Sequence, residues 1–159
     1  MRTFAALPWL AEIASVWAST ETKAIEAAGI LAAAIGCGVG VDAALGENDR
    51  RSTGFLPPFE FEHVADGFFA EPQISVRGWE RAVDAQRRVL GATRAIVGRH
   101  RKGDLAIVAH GAVGTLLFCA LSDRPISRSL DQPSQGHYWC ANLHDLKPHH
   151  GWRRIAARM

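Results

Sequence analysis

The chain has 159 residues, 48% of them apolar and 21% charged, which fits one globular domain burying roughly 70% of its unfolded surface. A formal charge of +2, with no basic surface interleaved with aromatic residues, argues against nucleic acid as a partner. Cys37, Cys119 and Cys140 are odd in number, widely spaced and part of no paired motif, as expected of reduced thiols in a cytoplasmic protein.

Met1 to Leu10 imitates a secretory leader only faintly, because Pro8 interrupts its apolar core and Glu12 follows, so it reads as a surface helix. Ile13 to Ala18 is a short apolar run that reads as a strand. Polar residues then open a helix, with Ser19 or Thr20 as N-cap, Glu21 in the first turn and Lys23 after it. That helix continues through Ala24, Ile25, Ala27, Ala28, Leu31 and Ile35 to Gly36, a suitable C-cap. The uncharged stretch from Ala27 to Val41 is too short and too broken by glycine to span a membrane. Val39 to Ala44 reads as a second strand, and Leu45 to Pro58 as a long polar loop of the kind that often carries function.

Pro57-Pro58 begins a helix through Phe61, Val64, Phe68 and Phe69, whose spacing predicts core or lid packing. The longest helix is expected from Gly78 to His100, with Arg81, Arg87, Arg88 and Arg94 on a solvated face. Lys102-Gly103-Asp104 signals a turn into the buried strand Leu105 to Ala109. His110-Gly111 breaks that strand, and Val113, Leu116, Leu117 and Ala120 then recur at helical spacing. A loop from Ser122 to Gly136 and a last strand from His137 to Leu143 complete residues 1–146, leaving a basic and poorly ordered tail, 147–159.

The alternation predicts an α/β, three-layer sandwich around a mostly parallel sheet. Two strand-to-helix junctions then lie at its carboxyl edge, where such folds bind ligands. Gly111 lets backbone N–H groups approach an anion at a helix start. His110 is placed to hold or protonate a phosphate, though alone it reads equally well as a buried histidine with satisfied bonds. Ser19 and Lys23 put a hydroxyl and a cation at the other junction, and a bound anion would relieve the conflict of a lysine with the helix dipole. His149-His150 near His144 reads as an exposed pair in the tail, so no metal site is expected.

Three blocks carry a family resemblance. Ala18-Ser-Thr-Glu-Thr-Lys-Ala-Ile-Glu-Ala-Ala28 resembles the Ser-Ser-Pro-Leu-x-Arg-Ala-x-x-Thr-Ala block of the histidine phosphatase, or phosphoglycerate mutase-like, superfamily. Ala44-Leu-Gly-Glu-Asn-Asp49 is similar to the segment bearing that family's acid, and Val108-Ala-His-Gly-Ala-Val-Gly114 to its late His-Gly-Gly-Val block. Their order and spacing agree from about Arg2 to Leu143. Lys23 stands in place of the family's arginine, Glu21 of its proline and Ala27 of its threonine. The family opens on a strand ending in Arg-His-Gly, whose histidine is the phosphorylated nucleophile. Nothing similar occurs here, and Met1-Arg-Thr-Phe-Ala matches the helix after that strand.

The resemblance implies a phosphoglycerate mutase-like fold with its first strand missing. It also implies a phosphohistidine-type phosphatase for a phosphorylated small molecule or protein, with its nucleophile absent from this chain. The alternative is a non-catalytic relative that binds a phosphorylated ligand or a protein partner. By the same resemblance Glu47 is the proton donor and His110 its catalytic partner, with Ser19, Lys23, Gly111 and Arg50 around the phosphate. Arg50 and Arg51 either hold a second anionic group or face water. The expected ligands are a phosphorylated substrate or inorganic phosphate, with no cofactor. A sheet edge left unpaired by the missing strand favours association with a second copy.

Overall fold

The computed structural model describes residues 8–155. Its centre is a sheet of three parallel strands in the order β2–β1–β3, where β1 is Ile13–Ala18, β2 is Val39–Val41 and β3 is Asp104–Val108. Trp17 pairs with Gly40 on one side and Ile107 on the other, and Ala18 with Val41 and Val108. All three strands therefore end at nearly the same level, which brings the residues that follow them together. A short 3-10 helix, Pro8–Glu12, leads into β1; of the surface helix expected over Met1 to Leu10, residues 1–7 lie outside the described residues.

Each face of the sheet is covered, as a parallel sheet requires. Val16, Ala18, Ala106 and Val108 pack against α1 (Thr22–Ile35), through its buried Ala24, Ala28, Leu31 and Ala32. Trp17, Leu105 and Ile107 face the larger cluster formed by α2 (Pro58–Ala70), α3 (Ala82–Arg99) and α4 (Gly111–Leu121). Phe68 and Phe69, which stack edge to face, and Trp79 fill it, together with Val89, Ile96, Val113 and Leu116. Burying each such side chain stabilises the fold by about 1.5–3 kcal/mol. The result is the expected three-layer α/β sandwich.

The boundaries depart from expectation in instructive places. Helix α1 has Glu21 at its N-cap instead of Ser19 or Thr20, because the Ser19 hydroxyl is turned to another partner. It closes at Gly36, whose φ of 72° is left-handed and whose N–H reaches Ala32 O. The second strand stops at Val41. Asp42 then accepts a bond from Ala44 N–H at 2.9 Å and caps a 3-10 turn, Ala43–Leu45. Helix α3 starts at Ala82, since Gly78 takes a φ of 81° and Trp79, buried beside it, is extended.

The largest correction concerns the fourth strand. His137 to Leu143 does not join the parallel sheet; only His137–Tyr138 (β4) is extended, pairing antiparallel with Arg153–Arg154 (β5). The chain turns back between them, with Leu146 N–H on Asn142 O, Leu146 at a φ of 58°, and His149 N–H on Cys140 O. The segment from Lys147 is accordingly no detached tail as far as Ile155. The Trp152 indole also donates to Leu130 O at 2.9 Å. Residues 156–159 of the expected tail lie outside the described residues. In the three-stranded sheet β3 is an edge, paired with β1 alone.

Candidate active site

The register of Ala18 with Val108 sets Ser19 beside His110, although 91 positions separate them. The His110 Nε2 atom lies 2.7 Å from Ser19 Oγ and 3.2 Å from Glu21 Oε1. The Ser19 hydroxyl is the hydrogen-bond partner of Nε2, and the Glu21 carboxylate stands beside it as a charged neighbour. Ser19 Oγ also accepts from Glu21 N–H at 3.3 Å, which ties the imidazole to the mouth of α1. Both Ser19 and His110 are buried. Burial pushes the imidazole below the usual histidine value, the Glu47 and Glu21 carboxylates pull the other way, and Lys23 and Arg50 add to the lowering.

Glu47 joins this group from the long loop. Its N–H donates to Glu21 Oε1 at 2.9 Å, and its own Oε1 accepts from Val113 N–H at 3.2 Å. A carboxylate thus sits on the first turn of α4, where free N–H groups and the helix dipole favour negative charge. Its Oε2 is 3.8 Å from Arg50 Nη2, and the Glu47 side chain is only 12% exposed. The neighbouring Asn48 is buried, and its amide makes no hydrogen bond to the described residues.

The loop is held from outside by Arg88. Its guanidinium donates to Ala44 O at 2.9 Å, Gly46 O at 3.0 Å and Glu47 O at 3.3 Å. Glu80 grips the other edge of the fork at 2.8 and 3.0 Å and raises the arginine's affinity for its proton. Arg88 is therefore a structural clamp and not part of a solvated face, a correction to the reading of the helix arginines.

Of the expected site residues, Ser19, His110, Glu47 and Arg50 meet directly or through one shared partner. Lys23 stands at the rim, 67% exposed, with Nζ 3.8 Å from Glu21 Oε2. Gly111 opens α4; a Cβ there would lie 2.7 Å from Gln132 Nε2, so the bare backbone leaves room for that amide. Arg51 turns away to the exposed Asp49. Two participants escaped the sequence reading. Glu21 looked like an ordinary first-turn acid, though its place in the proline position of the family block was a signal. Gln132 carried none, since only the fold brings its loop to α4. Among the described residues no cluster of three or more His, Cys, Asp or Glu is set to hold a metal.

An imidazole, helix N–H groups, an arginine, a lysine at the rim and a largely buried acid form a set suited to a phosphoryl group. The family model for the histidine phosphatase superfamily (branch 1) matches residues 3–149. The chain belongs to the histidine phosphatase superfamily.

Solved structures of similar fold agree. A mycobacterial glucosyl-3-phosphoglycerate phosphatase superposes with a TM-score of 0.77 at 18% identity, covering 98% of this chain and 85% of that one. The complex of that phosphatase with inorganic phosphate gives 0.78 at 17%, covering 97% and 84%. The Bacillus stearothermophilus protein YhfR gives 0.69 at 24%, covering 93% and 79%. No curated protein sequence matches. In this histidine phosphatase fold, His110 and Glu47 lie at the carboxyl ends of the parallel strands. Among the described residues no helix is long and apolar enough to cross a membrane.

Proposed function

We propose that the chain is the phosphate-binding and proton-donating body of a phosphohistidine-type phosphatase, acting on a phosphorylated small molecule or protein. The supporting observation is the convergence of Ser19, Glu47, Arg50 and His110 at one edge of the sheet. A phosphoryl oxygen would be held by His110 and Ser19 and by the N–H groups at the start of α4, with Lys23 and Arg50 balancing charge. Glu47 Oε1 is engaged by Val113 N–H. Oε2 is then the atom that would pass a proton to the leaving oxygen as the phosphoryl group moves from it to the nucleophilic histidine, and would take one back from the water that cleaves the phosphohistidine. The cations and N–H groups supply the positive charge, so the reading needs no metal. Free thiols at Cys37, Cys119 and Cys140 support a reducing, cytoplasmic setting.

Among the seven histidines only His110 follows a strand of the parallel sheet and opens a helix, and it is the family's late histidine. The nucleophile of the covalent step is thus absent from this chain in our reading. That same feature favours the second reading, a non-catalytic relative that binds a phosphorylated ligand. The test is titration of the chain with phosphate and vanadate, followed by heat stability, alongside hydrolysis of a generic phosphoester. Weak stabilisation that His110→Ala removes, with turnover barely above background, is the expected result. Turnover that appears once in-frame upstream residues are added favours the phosphatase, and its absence favours the binding protein. Robust turnover surviving His110→Ala overturns both.

A further inference from the structure

Beside Arg50 opens a cavity of about 490 Å³ whose other walls include Phe55, Leu56, Phe61 and Trp79. The size is that of pockets for small organic ligands. Its connection to the phosphate site is a single side chain. The Arg50 guanidinium lies 3.8 Å from Glu47 Oε2 at one end and 5.2 and 5.5 Å from the ring centres of Phe61 and Trp79 at the other. The back wall is fixed, because Trp79 is buried and its indole N–H donates to Thr53 Oγ1 at 2.9 Å. At the rim, Phe55 is 91% exposed. A full phenyl ring at a cavity mouth forgoes stabilisation that an apolar occupant would supply.

The chemistry of the walls selects the occupant. A sugar or other polyol needs a hydrogen-bond partner for each hydroxyl it buries, and leaving one unmet is costly. Apart from Arg50, the lining offers one other charged side chain, Glu62, which is already engaged by Arg128. Flat π faces beside a cation suit an aromatic ring. Building on the phosphatase reading above, we propose that the substrate is a phosphomonoester of an aromatic group, which lies in this cavity while its phosphoryl group meets His110. Arg50 would stand between the two parts, its charge toward the phosphate and its face toward the ring.

Calorimetric titration of the chain with 1-naphthyl phosphate, glycerol 1-phosphate, inorganic phosphate and 1-naphthol tests this. Naphthyl phosphate should bind about tenfold more tightly than glycerol phosphate. Phe55→Ser, a change at an exposed position that does not threaten folding, should bring that ratio below about threefold. Equal affinities for the two esters, or a ratio unmoved by Phe55→Ser while inorganic phosphate still binds, overturns the aromatic pocket and leaves the phosphate site standing. Naphthol binding as well as its phosphate, with no binding of inorganic phosphate, overturns the phosphate reading and this inference with it. Self-association that Phe55→Ser abolishes, with no ester preference, assigns the rim to a second copy instead.

Discussion

The two long loops of this member of the histidine phosphatase superfamily are each tied by an arginine, and they are tied differently. Residues 46–57 are tied at their start by Arg88, which is half-buried and donates to three backbone carbonyls. Residues 122–136 are tied by Arg128, which donates to a single backbone carbonyl, Glu62 O at 3.0 Å, and otherwise reaches the carboxylates of Glu62 and Asp66 on α2, both more than half exposed. Bonds to carbonyls fix where the backbone runs, whereas exposed ion pairs are screened by water and salt. The loop that carries the proposed acid has the firmer anchor. The other loop gains its firmness elsewhere, from Thr115 Oγ1 on Asp131 at 2.7 Å and from the Trp152 indole on Leu130 O.

The sharpest way to break this contrast is Arg88→Ala. It leaves three carbonyls and Glu80 without their donor, and should cost about 2–3 kcal/mol in urea unfolding. Phosphate affinity should fall too, as Glu47 loses its place against α4.

Acid should expose a second difference, since the first loop sets the Glu47 carboxylate and Arg50 in the field of the buried His110. Its pKa is lowered on folding from 6.5, so the unfolded chain takes up the proton more readily. Stability should be complete above about pH 6.5 and decline as the pH falls below it, levelling off once the folded histidine also titrates. His110→Gln should flatten this part of the profile; a profile unchanged by that variant contradicts the burial argument. The smallest effect belongs to Arg128→Ala, about 1 kcal/mol and smaller in 1 M salt, which screens its ion pairs but leaves its one carbonyl bond. A loss equal to that of Arg88→Ala would erase the distinction between the loops.

Much of the fold was legible because it rests on local patterns. Ile13 to Ala18 is bounded as the apolar run predicts, and β3 and α4 lie within a residue of expectation. His110 stood out for the same reason, as a polar break between strand and helix periods. What failed to show was anything fixed by register. Glu21 reaches His110 because Ala18 pairs with Val108, and no window around Glu21 contains that fact. The stretch from His137 is apolar enough to resemble a strand, yet the turn at Asn142 to Leu146 sends it back on itself. Arg88 looked like its solvated neighbours because its carbonyl partners lie more than 40 positions away.

In the proposed site the Glu21 carboxylate beside His110 sets a threshold for anion binding. An incoming phosphate would meet a tethered acid already 3.2 Å from the imidazole and present at the high local concentration that attachment to the same chain confers. Monovalent carboxylates free in solution would gain little against that resident charge, while a dianion with several oxygens would engage His110 and the α4 amides at once. A resident acid of this kind would act as a filter against weak anions without any moving part.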